Sequence, residues 1–382
     1  MTVSVFSRKI SLFFLILLLL TANLFAKSVT GTISYIEGYV DVYRDGKLLD
    51  WELVDIGFGI EEFDLIETGN DGIVEVDLKL PSGTSTSLSV KSNTAFYFEM
   101  DKTGGKNQTS LQMLGGSIAF KVQKLTGNDT LNIQTESAVM GVRGTEFEVI
   151  TSTEGGILVL CDEGAVSCKD DQGREVYSKP GSVVDQVPGK RINAQAVSVD
   201  DLGLFRTYWV SARDKVFKNG AAVFIQGYAN QFLLFEPKFA DAFTELLKVK
   251  LTLEKYGKDS ETGNMGSLIK AKTEVSPGIV KMRSILPVFE MVFYRLKELE
   301  KYHSKGIGVG PISDNLSSTT FFNEYGAVKE KISRQMAEVR YLFKLYKNIH
   351  DATGGGPSLL DSPFGGSGVP AANPPSSNFF GN

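Results

Sequence analysis

Hydrophobic periodicity changes once along this chain, and that change limits the possible folds more than any other feature. From about residue 30 to 190, short runs alternate apolar and polar residues with period two, the pattern of half-buried strands. Most runs start at a glycine: 38–42, 72–78, 116–122 and 144–149, then the shorter 164–168 and 181–184. A glycine at each entry permits positive φ, so each strand can leave a tight turn or bulge. The runs are unevenly spaced, which disfavours a solenoid and predicts a rolled or sandwiched sheet of many short strands.

Near residue 196 the period becomes helical. Ser198 followed by Asp201 resembles a capping box, ahead of an aromatic-rich stretch from Leu202 to Phe217. Further helix candidates cover 219–236 and 237–247, while 247–253 alternates with period two and leaves a strand open. Ile285, Phe289, Val292, Leu296 and Leu299 recur at helical spacing. So do Tyr325, Val328, Ile332, Gln335, Val339, Leu342, Tyr346 and Ile349. The second stripe has two readings: an amphipathic helix packed on its own bundle, or a seam for self-association through 325–349. The expectation is mixed architecture with separate β and α domains. A signal peptide occupies 1–26, a β-domain 30–190, a small α-helical domain 196–350, and a disordered tail rich in Gly, Pro and Ser 353–382. Within the tail, Phe364, Phe379 and Phe380 stand as isolated aromatics.

The first segment sets the expected compartment. Arg8 and Lys9 precede an apolar run of about eleven residues, too short to span about 30 Å of hydrocarbon, and small residues near Ala26 offer a cleavage point. The expected location is the periplasm or the wider cell envelope. Membrane contact follows only if this segment stays uncleaved.

Composition excludes several functions. A net charge of -5 gives no basic excess for a phosphate backbone, so nucleic acid is not expected as a partner. Only His303 and His350 supply imidazole, both in the C-terminal half, so the usual parts for acid–base or zinc chemistry are missing from the β-region. No catalytic residue, metal ligand or cofactor site is expected. Cys161 and Cys168 bracket a predicted hairpin with its turn near Gly164. A turn at 164–165 sets them face to face for a disulfide. A turn at 163–164 opposes Cys161 to Val166 and leaves two buried thiols.

Four segments in order carry a family resemblance: IEGYVDV at 36–42, FDLIETG at 63–69, LSVKSNTA at 88–95 and TESAVMGVRGTEF at 135–147. Together they resemble the FecR domain, named for the periplasmic part of the ferric citrate regulator. The last segment is the most characteristic, and it marks Gly141, Val142, Arg143, Gly144, Thr145 and Phe147 as structural positions. Gly141 and Gly144 would turn the chain sharply, and Arg143 would tie the turn to a neighbour. Phe63 stands where the family usually has glycine. Regulators of this type carry a sigma-factor-binding region before their membrane span, whereas nine residues precede the apolar run here, so that role is not expected to carry over.

The expected function is therefore a non-catalytic, exported binding or scaffold protein whose partner is an envelope protein or glycan. The other reading is a sensor subunit of an envelope signalling or transport-control pathway, acting through another membrane protein. An enzyme acting on envelope polysaccharide with carboxylates alone is a third reading, but no pair stands out among the 45 acids.

Overall fold

A computed structural model describes residues 29–80, 83–103, 106–124, 129–260, 263–356 and 358–360. The export signal at 1–26 and the tail aromatics Phe364, Phe379 and Phe380 lie outside these residues. The strands come first: β1 Val29–Glu37, β2 Val40–Arg44, β3 Lys47–Leu48, β4 Gly59–Glu61, β5 Leu65–Thr68 and β6 Ile73–Lys79. Then follow β7 Ser85–Val90, β8 Ala95–Thr103, β9 Lys106–Gly115, β10 Ser117–Val122, β11 Asp129–Gln134 and β12 Ala138–Val142. The last six of this region are β13 Glu146–Thr151, β14 Ile157–Glu163, β15 Val166–Asp170, β16 Glu175–Ser178, β17 Ser182–Gln186 and β18 Asn193–Ala196.

They form two nine-stranded sheets. The first runs β18-β17-β14-β13-β10-β7-β6-β1-β4 and the second β16-β15-β12-β11-β9-β8-β5-β2-β3. Apolar positions of the two sheets meet in one core: Ile33, Val76, Leu88 and Val149 from the first, with Ile66, Phe98, Leu111 and Ile133 from the second. Period-two alternation is thus the direct trace of a two-layer sandwich. Five of the six entry glycines adopt positive φ: Gly38, Gly116, Gly144, Gly164 and Gly181. The sixth, Gly72, serves a close approach, since a Cβ there would lie 2.2 Å from the Tyr39 carbonyl oxygen.

The expected hairpin at Cys161 and Cys168 is not formed. Its two arms, β14 and β15, belong to different sheets, so the chain crosses the sandwich at Gly164 rather than folding back on one ladder. Cys161 pairs beside Phe147 and Cys168 beside Met140. Both thiols are free and buried in the inter-sheet core. Burial pushes Cys161 up to about 11 and Cys168 up to about 12, which leaves neither reactive as a thiolate.

Helices follow: α1 Leu202–Lys248, α2 Lys250–Gly257, α3 Met265–Arg283, α4 Leu286–His303 and α5 Ser318–Ala352, with a small ladder of β19 Pro311–Ser313 and β20 Leu316–Ser317 between α4 and α5. The expected capping box is absent, because Ser198 heads a 3-10 turn with no side-chain cap bond. The two candidates split at 236/237 are one helix running through Pro237. An interior proline costs about 3 kcal/mol. Aromatics on both sides hold the helix across it, with Phe232 and Phe239 lying 5.8 and 4.5 Å from the Phe289 ring. The alternating stretch 247–253 is helical apart from the break at Val249, and α3, which contains Pro277, has no counterpart in the sequence reading.

The helices lie on the outer face of the second sheet and share a core with it. Phe63, Leu65, Ala95, Tyr97 and Leu114 belong to the same apolar cluster as Phe289, Phe293, Leu342 and Tyr346. Most of the α5 stripe is consumed there: Tyr325, Ile332, Val339, Leu342, Tyr346 and Ile349 are buried, Gln335 is half-buried and Val328 stays exposed. It is an amphipathic helix packed on its own bundle, and the seam proposed for self-association through 325–349 faces inward. The start of α1 covers a different surface, where Leu202 and Trp209 pack on Ile150, Leu158, Leu160 and Val183 of the first sheet. The Gly/Pro/Ser-rich stretch does not leave the body at 353. Leu360 is buried in the helical core, and its carbonyl accepts from Arg283 Nη2 at 2.6 Å.

Candidate functional site: the outer face of the second sheet

Outward residues on the second sheet divide into a part under the helices, a rim, and an open part. Under the helices the sheet presents acids and the helices present bases. Arg283 grips Glu99 bidentately at 2.9 and 2.8 Å, Arg295 meets Glu136 at 3.2 Å, and Lys297 meets Glu67 at 2.6 Å. Lys344 joins Asp45 and Glu61, Lys347 faces Glu62, and Arg206 and Arg213 pair with Glu148 and Glu154 of the first sheet and its loop. Among the described residues every ion pair between strand region and helices has this polarity. Burial by itself would lower the Arg283 guanidinium, and the Glu99 carboxylate more than offsets it.

At the centre of this layer Arg340 donates to Glu290, whose other oxygen accepts from Tyr97 on β8 at 3.1 Å. Glu290 and Arg340 are fully buried or nearly so. Burial raises the Glu290 carboxyl, with Arg340 acting against it. Glu290 is thus held by Arg340 and Tyr97, while Arg340 Nη2 is buried without a hydrogen-bond partner among the described residues.

At the rim lies a polar crevice lined by Glu99, Gln108, Ser110, Gln112 and Gln134 of the sheet, by Arg283, Lys347 and His350 of the helices, and by Ser358 and Leu360. About 450 Å3 there is free of protein atoms, part of it open to solvent. The His350 ring is 2% exposed, with Nε2 on the Gly356 carbonyl and Nδ1 without a partner among the described residues.

Beyond the rim, strand register places one residue of each strand in a row. Glu99 opposes Ser110, Ser110 opposes Asn132, Asn132 opposes Gly141, Gly141 opposes Ser167, and Ser167 opposes Tyr177. Six strands at about 4.8 Å spacing give a row about 24 Å long. Glu99 and Ser110 are buried at 9% and 8%, Asn132, Gly141 and Ser167 are half-buried, and Tyr177 is 51% exposed.

The motif residues divide between the two sheets and the turn that joins them. Val142 and Phe147 point into the sandwich, where Phe147 stacks on Phe120 at 4.7 Å. Thr145 is buried, and its carbonyl accepts from Val122 N at 2.9 Å. Gly144 makes the turn at φ +71, with Lys124 Cα only 2.8 Å from where a Cβ would stand. Gly141 does not turn the chain: it is a strand residue on the open face. Arg143 makes no tie either, being exposed and without a bond or ion pair among the described residues. Sequence reading missed Ser110, Asn132 and Tyr177. Alternate polar residues at 108, 110 and 112 were the available signal, but only strand register assembles the row.

Residues 64–167 match the family model described as FecR protein. The chain carries a FecR-like domain. That match takes in three of the four quoted segments almost whole and leaves out the first, at 36–42. Two solved structures of a protein described as a "putative anti-sigma factor", from Parabacteroides distasonis ATCC 8503, are similar at 15% identity with TM-scores of 0.29 and 0.30. The likeness covers 36% and 37% of this chain and 61% and 63% of theirs, so the chain spans less than two thirds of their length. No curated protein matches the chain.

Proposed function

We propose that this chain is an exported, non-catalytic binding protein of the cell envelope, with the FecR-like sandwich as its binding body and the helical layer as its support. The observation that carries this reading is the uneven use of the second sheet's outer face: helices seal one part, and from Asn132 to Tyr177 the row passes from half-buried to exposed. The basic, apolar and small-residue pattern of 1–26 supports export. The sealed charges hold the two layers together. In-cell crosslinking of the tagged chain, with identification of what is retained in the envelope fraction, tests the reading. Reproducible recovery of an envelope protein or wall material is expected. A fully cytoplasmic chain that retains neither would overturn it.

The second reading is a sensor subunit acting through another membrane protein, favoured by the family match over 64–167. Crosslinking separates the two, since a sensor is recovered with a membrane protein and a wall-binding module with glycan.

A further inference from the structure

The loop between β3 and β4 displays apolar side chains that the fold leaves uncovered. Trp51, Leu53 and Ile56 are 76%, 64% and 62% exposed, and Leu48 on β3 is half exposed. Single exposed apolar residues are ordinary on a protein surface. Three large ones within six residues form a patch of the kind that meets a partner. The display is built into the backbone. Val54 is buried in the inter-sheet core as the loop's anchor, and its N–H donates to the Trp51 carbonyl at 3.1 Å. On β1, Ile33 N donates to the Phe58 carbonyl at 2.9 Å, and the Ile33 carbonyl accepts from Gly57 N at 2.8 Å. The strands on either side, β3 and β4, are the edge strands of the two sheets, so the loop stands at the margin of the sandwich.

Charge decides what can cover this patch. From residue 45 to 60 the chain carries four acids, Asp45, Asp50, Glu52 and Asp55, and one base, Lys47. Asp45 is paired with Lys344 of α5. Asp50 and Asp55 each accept from a loop N–H, at 3.2 and 2.7 Å, and the Glu52 carboxylate has no partner among the described residues. Three exposed acids thus alternate with three exposed apolar groups, and no cation among the described residues neutralises them. An anionic lipid surface would repel such a patch. A second copy meeting it face to face would set the acids against themselves. Residues 361–382 contain no lysine or arginine, so the chain's own tail has no charge to set against it. What complements the patch is a protein surface with an apolar hollow for the Trp51 ring and basic residues around the rim. Tryptophan is among the commonest anchors of protein contacts, and opposite charge at the rim steers the partner on.

We propose that the loop between β3 and β4 docks a basic surface of another envelope protein, with Trp51 as the anchor and Glu52 in the acidic rim. This rests on the binding reading above and names the surface and the partner's chemistry for it.

The test places a photo-crosslinking amino acid at position 51, at position 53 and, as a control, at position 121, where Lys121 is exposed on the first sheet. The full chain is produced in cells and irradiated. One protein adduct is expected from positions 51 and 53 and none from 121, with bases outnumbering acids in the attached peptide. With the probe at 53, Trp51→Ala should weaken the adduct at least tenfold and Glu52→Lys at least fivefold. Both side chains are exposed, so the melting temperature should change little. Silence at 51 and 53, the same adduct from 121, a neutral or acidic attached peptide, or indifference to Glu52→Lys would each overturn the inference. So would an adduct with lipid, with a second copy, or with the chain's own residues 1–28. An envelope protein recovered by general crosslinking while 51 and 53 stay silent would end this proposal and leave the binding reading standing.

Discussion

Phe63 has φ +64, a conformation that costs a bulky residue about 1–3 kcal/mol. It stands where the resembled family usually has glycine, and the structure shows what the ring does there. It is 5% exposed and packs in the cluster shared by sheet and helices. Phe63→Gly relieves the strain but removes a buried aromatic worth roughly 3–5 kcal/mol. The variant should therefore lose about 1–3 kcal/mol in denaturant titration, and a gain in stability would show that the ring does not anchor the helices. Arg340 is the second residue to examine, because removing it strands Glu290 in a dry layer. Arg340→Met should cost about 3–5 kcal/mol, and Glu290→Leu added to it should recover much of that loss. The pH dependence has a definite sign. Without Arg340, burial raises the folded Glu290 pKa further above its unfolded value, so the penalty grows as pH rises through that window. The loss measured near pH 5 should be smaller than near pH 7.5, and a loss independent of pH would mean Glu290 is not the stranded group.

Single elements were readable from sequence where one face alone fixed the pattern. Alternating runs with glycine entries became β2, β6, β10, β13, β15 and β17 with small shifts at the ends. The helices α4 and α5 followed their apolar spacing for the same reason. Pro237 and Pro277 lie inside helices whose tertiary packing outweighs the local cost. The segment between Cys161 and Cys168 misled the reading, because a corner between sheets and a hairpin present the same Gly-bearing turn. No local signal states which sheet the next strand joins. The α5 stripe could be placed as apolar, while its partner could not. With that partner now known to be the chain's own core, Leu342→Ala should lose about 2–5 kcal/mol and leave the sedimentation mass unchanged. A change of mass at preserved stability would restore the intermolecular seam.

The whole molecule is legible last, since it depends on which surfaces meet. Composition and the period change announced strands then helices, and nothing local announced that the helices would spend their apolar faces on the second sheet. The acid-on-sheet, base-on-helix pattern is spread over residues as distant as Glu61 and Lys344, so it has no sequence signature. The same assembly decides what remains free: Tyr97, Glu99 and Ser110 are buried, and exposure returns from Asn132 to Tyr177. The central claim is thus that strands and helices form one body, joined by an apolar cluster that the second sheet and the helices share. Differential scanning calorimetry of the full chain tests it most directly. The account predicts one endotherm, with strand and helix signals lost together and the transition displaced as a unit by Arg340→Met. Two separated transitions, with the Arg340 variant moving only the helical one, would contradict it.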